Sequence, residues 1–325
     1  MKVFVTGGTG FIGRHLCHAL HQQGHQVVAL IRSPKKASVL PEGTELLKGD
    51  MASFKDPNFV IPPCDVVIHL AGVIAGKNEQ DYITTNFQSV VDFMECLQRQ
   101  TWKPERFVFA SSLAAGGPCL RDNPISESMP DKPIEPYGIS KWQADEYLKA
   151  LDIPTISFRP TIVLGPEDAA SFTLYQMANK GIGMRPSGKP QQVSIVYVED
   201  LVDAIILMAQ MDMKGSKHKT YYVSSPGLHT TVDLFQAIGK ALGKKISIVV
   251  VPRFVLKSLS IAMTNIAKVI PFTNQLDDKQ YKQMTVDSFA CSGQLLQDEL
   301  GWQPKHTLLE STQKSVDGYR KAGWL

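Results

Sequence analysis

The chain has 325 residues, 43% of them hydrophobic, which suffices for a sizeable core in one large domain or one with a smaller appendage. A formal net charge of +3 at pH 7, without a long basic run, excludes the usual signature of a nucleic-acid binder, and no apolar run is long enough to be an integral membrane segment. Five scattered cysteines (Cys17, Cys64, Cys96, Cys119, Cys291) lack a C-x-x-C pair and the N-terminus reads as a strand, not a signal peptide, so a cytoplasmic protein with reduced thiols is expected.

Lys2 to Val5 reads as a short apolar strand. TGGTGFIG follows from Thr6 to Gly13, then an amphipathic helix over Phe11 to Gln23 and a second strand, Val27 to Ile31. In this β-α-β unit Gly7 permits the tight turn, Gly10 lets a pyrophosphate approach the backbone, and Gly13 lets the helix pack closely on the sheet. The helix start would aim its unpaired N–H groups at the phosphates. A glycine-rich turn can also exist without a ligand, but its place between strand and helix favours a dinucleotide site. The G-x-x-G-x-x-G spacing resembles the short-chain dehydrogenase/reductase superfamily, and TGGTGFIG its extended, epimerase/dehydratase branch.

That resemblance implies an α/β fold: a Rossmann-type doubly wound parallel sheet with a smaller, mostly helical C-terminal substrate lobe. Residues 1–165, with a later return over about 193–225, would form the nucleotide-binding domain, and 166–325 mainly the substrate lobe. It also implies cofactor contacts at Gly7, Thr9, Gly10, Phe11, Ile12 and Gly13.

Along the first helix Ile12, Leu16, Ala19 and Leu20 share one side. His15, His18, His21 and, just beyond, His25 fall opposite. Histidines so spaced can ligate a metal, but no carboxylate or cysteine joins them, so they read as solvated and no metal is expected. The second strand ends in Arg32-Ser33, with Lys35 and Lys36 beyond. Ile31 stands where NAD-using relatives carry an acid for the ribose 2′-hydroxyl. Arg32, Ser33 and Lys36 can instead hold a 2′-phosphate, unless Arg32 is an ordinary loop cation; the cofactor expected is NADP(H), with NAD possible.

Thr44 to Lys48 is a third strand, followed by Asp50 and Met51, which the resemblance places at the adenine. Asp65 to Leu70 is a fourth, ending in His69-Leu70-Ala71-Gly72, similar to the family's H-x-A-G turn; Leu70, Ala71 and Gly72 are thus cofactor candidates. Glu79 to Gln100 reads as one long helix containing Asn86, which matches the family's active-site-supporting Asn. Arg106 to Ala110 is a fifth strand, leading to Ser111-Ser112. A Pro-, Asp- and Glu-rich stretch from Gly116 to Pro136 reads as a long loop over the strand ends. Tyr137 to Leu151 is a helix and Ile153 to Arg159 a sixth strand; by resemblance Pro160, Thr161 and Ile162 meet the nicotinamide. Beyond Gly165, helices are expected at Ser171–Asn179 and Glu199–Gln210. Loop is expected at 181–192, strands at Val193–Val198, Thr220–Val223 and Ile246–Val251, and a helix N-capped by Thr230 with Asp233.

Tyr137 and Lys141 form a Y-x-x-x-K pair on one helix face. A free phenol has a pKa near ~10, and a nearby ammonium lowers it, so Tyr137 can exchange a proton with a substrate oxygen during hydride transfer. Lys141 can also bond the nicotinamide ribose, while Ser112 holds and orients the substrate oxygen. The catalytic set expected is therefore Ser112, Tyr137, Lys141 and Asn86. The order of these motifs matches extended short-chain dehydrogenases over essentially the whole chain.

Two departures narrow the chemistry. Leu113 and Ala114 stand where sugar-nucleotide dehydratases carry an acid/base pair. Gln192-Val193-Ser194 stands where sugar-nucleotide enzymes place an Arg for the diphosphate. Gly116-Gly117 also replace a family tyrosine and would leave space. A small, weakly charged carbonyl or alcohol substrate is expected, as in dihydroflavonol-reductase-like or hydroxysteroid-dehydrogenase-like members. A sugar-nucleotide epimerase with tightly bound cofactor, and a silent NADP-binding sensor or assembly subunit, are the alternatives. By resemblance the chain would form a homodimer through the helices around Glu79–Gln100 and Tyr137–Leu151, with Phe87, Val90, Met94, Trp142 and Tyr147 in contact. Arg253 to Ile270 is apolar and cationic. It can complete the lobe's core, roof an apolar pocket or lie at a membrane interface. The expectation carried forward is that part of it lines the substrate cleft opposite Ser112 and Tyr137.

Overall fold

Along β1 (Lys2–Thr6), Val3 and Val5 enter one apolar cluster and Phe4 a second, as the two-residue period of a strand requires. A strand buried on both faces belongs to a parallel sheet covered by helices on each side. A computed structural model describes this arrangement for residues 1–76, 78–213, 215–269 and 278–325. The strands continue as β2 (Gln26–Ile31), β3 (Glu45–Lys48), β4 (Val66–His69), β5 (Arg106–Ala110), β6 (Thr155–Pro160), β7 (Ile162–Leu164), β8 (Ile182–Pro186), β9 (Gln192–Val193), β10 (Ile195–Tyr197), β11 (His218–Val223), β12 (His229–Thr230), β13 (Ser247–Val251) and β14 (Ser288–Phe289). The main sheet has the order β11-β6-β5-β4-β1-β2-β3, with every neighbour parallel. Strand order reverses beside β1, which opens a crevice at the carboxyl ends of β1 and β4, where such sheets bind ligands.

The helices are α1 (Phe11–Gln22), α2 (Glu79–Tyr82), α3 (Ser89–Arg99), α4 (Leu113–Gly116), α5 (Pro136–Lys149), α6 (Phe172–Asn179), α7 (Val198–Gln210), α8 (Thr231–Leu242), α9 (Arg253–Val269), α10 (Asp278–Thr285), α11 (Gln294–Leu300) and α12 (Leu308–Lys321). Leu16 and Leu20 of α1, Leu201 and Ile205 of α7 and Leu296 of α11 cover one face of the sheet. Phe93 and Leu97 of α3 and Ala144 and Leu148 of α5 cover the other. A third cluster, including Tyr175, Ile238, Val316 and Tyr319, holds α6, α8 and α12 together as the C-terminal lobe. The doubly wound sheet and the mostly helical lobe are thus as the sequence leads one to expect.

Several local expectations change. The long helix over Glu79–Gln100 is three pieces: α2, a π-helical turn over Ile83–Gln88, and α3. Residues 181–192 are not all loop, because β8 pairs in parallel with β13. The 193–198 strand is split. Only β10 extends β7, whereas β9 pairs with β12 and β14. Thr230 does cap α8, its hydroxyl accepting from Asp233 N at 3.2 Å and its N–H donating to the Asp233 carboxylate at 2.8 Å.

Val90 and Met94 are fully buried against the sheet, so they are unavailable for pairing with a second copy; Phe87, Trp142 and Tyr147 are half-buried. Of the helix histidines, His18 and His21 are exposed. His25 accepts or donates at both ring nitrogens, toward the N-terminus and Gln210. His15 is not solvated: its Nε2 is buried without a described partner, and it lines a cavity with Glu199, Asp203 and His306. The five cysteines are unpaired. No described helix is long and apolar enough to cross a membrane.

The 253–270 segment does not complete a core. Among the described side chains of α9, Leu256 and Ser260 are buried, whereas Phe254, Val255, Leu259, Ile261 and Ile266 are exposed; Ile270 lies outside the described residues. From the same lobe α10 reaches the start of α5, where Gln283 Nε2 donates to Glu135 Oε1 at 3.2 Å.

Candidate active site

The turn after β1 is built for close approach. Gly7 has φ +71°, and a Cβ there would lie 2.8 Å from Ala71 N, so this turn rests on the Leu70-Ala71-Gly72 turn after β4. A Cβ on Gly13 would run into Gly7 O; the helix packs on its own turn rather than on the strands. Gly10 meets only Gly7 O, leaving open space above the backbone. Gly10 is the N-cap of α1 and has no capping side chain, and no acid sits in the first turn, so the positive helix end and the N–H groups of Phe11 and Ile12 face outward uncompensated. Phe11 packs near Gly165, and Arg14 pairs with Glu167 at 2.7 Å, fastening α1 to the chain beyond β7. Thr9 is half-buried in the same turn.

At the end of β2, Ile31 is buried, Arg32 and Lys36 are exposed, and Ser33 begins a short 3-10 helix without using its side chain as a cap. Asp50 is partly committed elsewhere: its Oδ1 accepts from Ala52 N at 3.0 Å and Ser53 N at 3.1 Å, capping the 3-10 turn that Met51 begins. At the end of β6, Pro160 leads through Thr161 into β7, which starts at Ile162. The Thr161 hydroxyl is buried with no described protein partner. Open space over Gly10, an uncapped helix start and an orphaned hydroxyl after β6 together fit a nicotinamide dinucleotide laid across the strand ends.

Ser112, two residues beyond β5, N-caps α4, its Oγ accepting from Ala114 N at 3.1 Å. The same side chain is hydrogen-bonded to Tyr137. Glu135, buried, starts α5 by accepting from Tyr137 N and Gly138 N at 2.8 and 2.7 Å, which fixes the register that aims Tyr137 at Ser112. One turn on, the Lys141 ammonium donates to Ala110 O at 2.8 Å and lies 4.8 Å from the Phe109 ring centre. A Cβ on Gly72 would lie 3.2 Å from Lys141 Nζ and 2.9 Å from Asn86 Oδ1, so these three residues meet. Asn86 sits in the π turn. Its Oδ1 accepts from Val73 N at 2.8 Å, and its Nδ2 donates to Val73 O at 2.9 Å and to Ser140 Oγ at 3.2 Å. It therefore ties the loop after β4 to α5.

Burial pushes Tyr137 up to about 12; the Ser112 hydrogen bond opposes this, and Glu135 and Tyr82 add to it. The expected lowering by Lys141 is absent, because that ammonium is turned to Ala110 O. Lys141 itself is pushed down to about 8 by burial, against the attraction of Asp145. His69, wholly buried and bonded to Thr6 Oγ1 at 2.7 Å, is pushed down to about 3 by burial and then by Lys141, so it is a neutral strut.

The space expected at Gly116 is filled: a Cβ there would collide with the Tyr222 hydroxyl. Gln192 has no free amide for a diphosphate, since it donates to Asp122 Oδ1 at 2.6 Å and accepts from Asp122 N at 2.8 Å; Val193 beside it is buried.

Sequence reasoning missed the support beneath the site. Arg159, buried, donates to Asp145 Oδ2 through Nε at 3.0 Å and Nη2 at 2.8 Å, to Asp131 Oδ2 through Nη2 at 2.8 Å, and to the Tyr222 hydroxyl at 3.0 Å. Ser111 Oγ donates to the same Asp145 oxygen at 2.7 Å. One guanidinium thus joins β6, α5 and the loop before Tyr137. The signal was available: a charge inside the apolar strand T-I-S-F-R-P must be paired. Tyr82, buried, also packs edge-on against Tyr137, their ring centres 6.2 Å apart.

A parallel sheet with a glycine-rich first turn, and a serine, tyrosine and lysine converging beyond β5, defines an NAD(P)-dependent oxidoreductase or epimerase. More narrowly, the chain belongs to the NAD dependent epimerase/dehydratase family, whose model matches residues 3–224. It is 24% identical to a ceramide reductase of Caulobacter vibrioides over 99% of this chain and 96% of that protein. It is 26% identical to a UDP-glucose 4-epimerase of Vibrio cholerae over 99% and 96%. Among solved structures, the Thermus thermophilus UDP-glucose 4-epimerase in complex with NAD shares the fold with a TM-score of 0.77 at 23% identity, covering 99% of this chain and 100% of that one.

Proposed function

We propose that this enzyme transfers hydride between a nicotinamide cofactor and one carbonyl or alcohol carbon of a small, weakly charged substrate, with Tyr137 as the proton donor or acceptor. The carrying observation is the Ser112–Tyr137 hydrogen bond, with Lys141 one helical turn behind it. In this reading Ser112 orients the substrate oxygen, Lys141 holds the nicotinamide ribose, and Asn86 keeps the loop after β4 in place. When bound, the cofactor supplies or accepts the hydride. The glycine turn (Gly7 and Thr9 to Gly13), Asp50 and Met51, Leu70 to Gly72, and Pro160 to Ile162 line its path. Residues 1–165, with the return over 193–225, serve the cofactor, and 166–325 mainly serve the substrate.

Leu113 and Ala114 cannot move protons, and the Gln192 amide is occupied by Asp122, so a dehydratase and a diphosphate-bearing substrate are both disfavoured. The full-length similarity to a ceramide reductase supports an apolar substrate. A sugar-nucleotide epimerase is the second reading, favoured by the similarity to UDP-glucose 4-epimerases. A panel of aliphatic and sterol-like carbonyls assayed by NADPH absorbance, beside UDP-glucose, tests the two.

The cofactor is NADP(H) in this reading, although solved relatives are described with NAD. Buried Ile31 offers nothing to a ribose hydroxyl, while exposed Arg32 and Lys36 suit a 2′-phosphate. Titration with both cofactors is expected to give tighter NADPH binding, weakened roughly tenfold in Arg32→Ala by loss of a charge-assisted contact. Equal affinities in the wild type would contradict the assignment. The chain is also proposed to form a homodimer through the outer faces of α3 and α5, where Phe87, Trp142 and Tyr147 are half-buried.

A further inference from the structure

The outward side of α9 carries a run of exposed apolar side chains. Phe254 is 73% exposed and Ile261 51%, and Val255, Leu259 and Ile266 are exposed beside them. At about 100° per residue these five span roughly 160° of the helix circumference. Leu256 and Ser260, on the opposite side, are the buried ones, so α9 lies on the lobe by a narrow stripe and turns its broad apolar face away from the protein. Val249 and Val250 of the preceding strand β13 are exposed as well. A surface of this kind marks an interaction site rather than scattered apolar residues.

Charge identifies the occupant. From Lys240 to Val269 the chain carries Lys240, Lys244, Lys245, Arg253, Lys257 and Lys268, and no Asp or Glu. Over its whole length it has 34 basic and 31 acidic residues, so outside this segment acids outnumber bases. Lys257 falls along one border of the apolar arc, and Arg253 beside the buried Ser260. Arg253 is steered by Ser187 O at 3.2 Å and by Asp287 at 3.8 Å, while Lys257 is exposed. An exposed apolar face on a segment whose charged residues are all cations matches a bilayer interface with anionic headgroups: the apolar side chains enter the acyl boundary and the cations meet the headgroups. A protein groove would need its own apolar trough and acids at matching positions; a bilayer supplies both without shape complementarity.

We infer that α9 docks this enzyme on the surface of anionic lipid membranes, without spanning them. The inference stands apart from the identity of the substrate and the reaction. The test is flotation of the full chain with vesicles of phosphatidylcholine alone and of phosphatidylcholine mixed with phosphatidylglycerol. The protein is expected to rise with the mixed vesicles only, and to be released by raised salt. Phe254→Ser and Leu259→Ser should each weaken binding roughly tenfold, the loss of one buried apolar side chain. Lys257→Glu, which removes no apolar surface, should weaken it too. Retained NADPH fluorescence in each variant shows that the cofactor domain is intact. Absence of flotation with mixed vesicles, or variants that float like the wild type, would overturn the proposal. So would a dimer that becomes a monomer in Phe254→Ser while vesicle binding persists, since the face would then belong to a second copy.

Discussion

Tyr137 is a neutral phenol at physiological pH, because burial holds it at about 12. A phenol gives a proton; it takes one only as phenolate. In the proposed reaction it would thus serve as proton donor to the nascent alkoxide of a reduction. The sign of the pH dependence follows. Reduction should be flat below about pH 8 and decline as Lys141 loses its charge above about 8, while oxidation should climb steadily with pH as the phenolate fraction grows. Rate profiles in both directions check this, and an oxidation rate already level at neutral pH would contradict it. Tyr137→Phe keeps the ring and its contact with Tyr82, so turnover should fall roughly 10²–10⁴-fold with cofactor affinity nearly unchanged; loss of affinity with surviving turnover would reverse the assignment. At this scale the sequence was most legible where chemistry depends on residue type: Tyr137 and Lys141 share a helix face as their spacing suggests, and Ser112 and Asn86 lie beside them as the resemblance implies. It was least legible where a residue's role depends on a distant neighbour. Gly116 reads as empty space, yet Tyr222 fills it from the edge strand of the sheet. Arg159 reads only as the end of the sixth strand, yet its side chain braces Asp131 and Asp145.

The elements that carry the site were read well where period and punctuation agree, as in β1, α1 and β5. Two were not. The π turn at Ile83–Gln88 differs from an α-helix by a single residue per turn, too little to disturb the apolar pattern of Glu79–Gln100, but it brings Asn86 onto Val73 and Ser140. Such turns inside helices recur at functional sites. Strand β8 contains Gly183, Arg185 and Pro186, which read as loop, and is held as a strand by pairing with β13. The glycine is there because a Cβ would lie 2.8 Å from Phe235 and 2.7 Å from Ile248. The π turn yields a prediction of its own. Asn86→Ala leaves both main-chain groups of Val73 without their partner, and each buried unsatisfied group costs about 1–3 kcal/mol. The lower figure applies, since Val73 is half-buried. Thermal unfolding should shift downward and turnover should drop, because Gly72 and Lys141 adjoin the same asparagine. An Asn86→Ala enzyme with unchanged melting and unchanged turnover would show that the turn merely tolerates this residue.

For the whole molecule, the reversal of strand order beside β1 puts the glycine turn, the turn after β4 and the Ser112–Tyr137 pair around one crevice, and α10 of the lobe is bonded through Gln283 to Glu135 at the start of α5. If the outer faces of α3 and α5 pair two copies, light scattering at micromolar concentration should give twice the 35.9 kDa chain mass, and Tyr147→Glu, which puts a charge into that contact, should halve it. A monomeric wild type would end the pairing idea without touching the chemistry. The central claim is net hydride transfer at one carbon, and it is tested most directly by isotope. NADPH deuterated at the transferable position is supplied with a ketone from the active part of the panel, and the product is examined by mass spectrometry. The account predicts one deuterium in the alcohol for each cofactor oxidised, lost in Tyr137→Phe. Interconversion of UDP-glucose and UDP-galactose with no net cofactor oxidation, and no deuterium reaching any ketone, would contradict it.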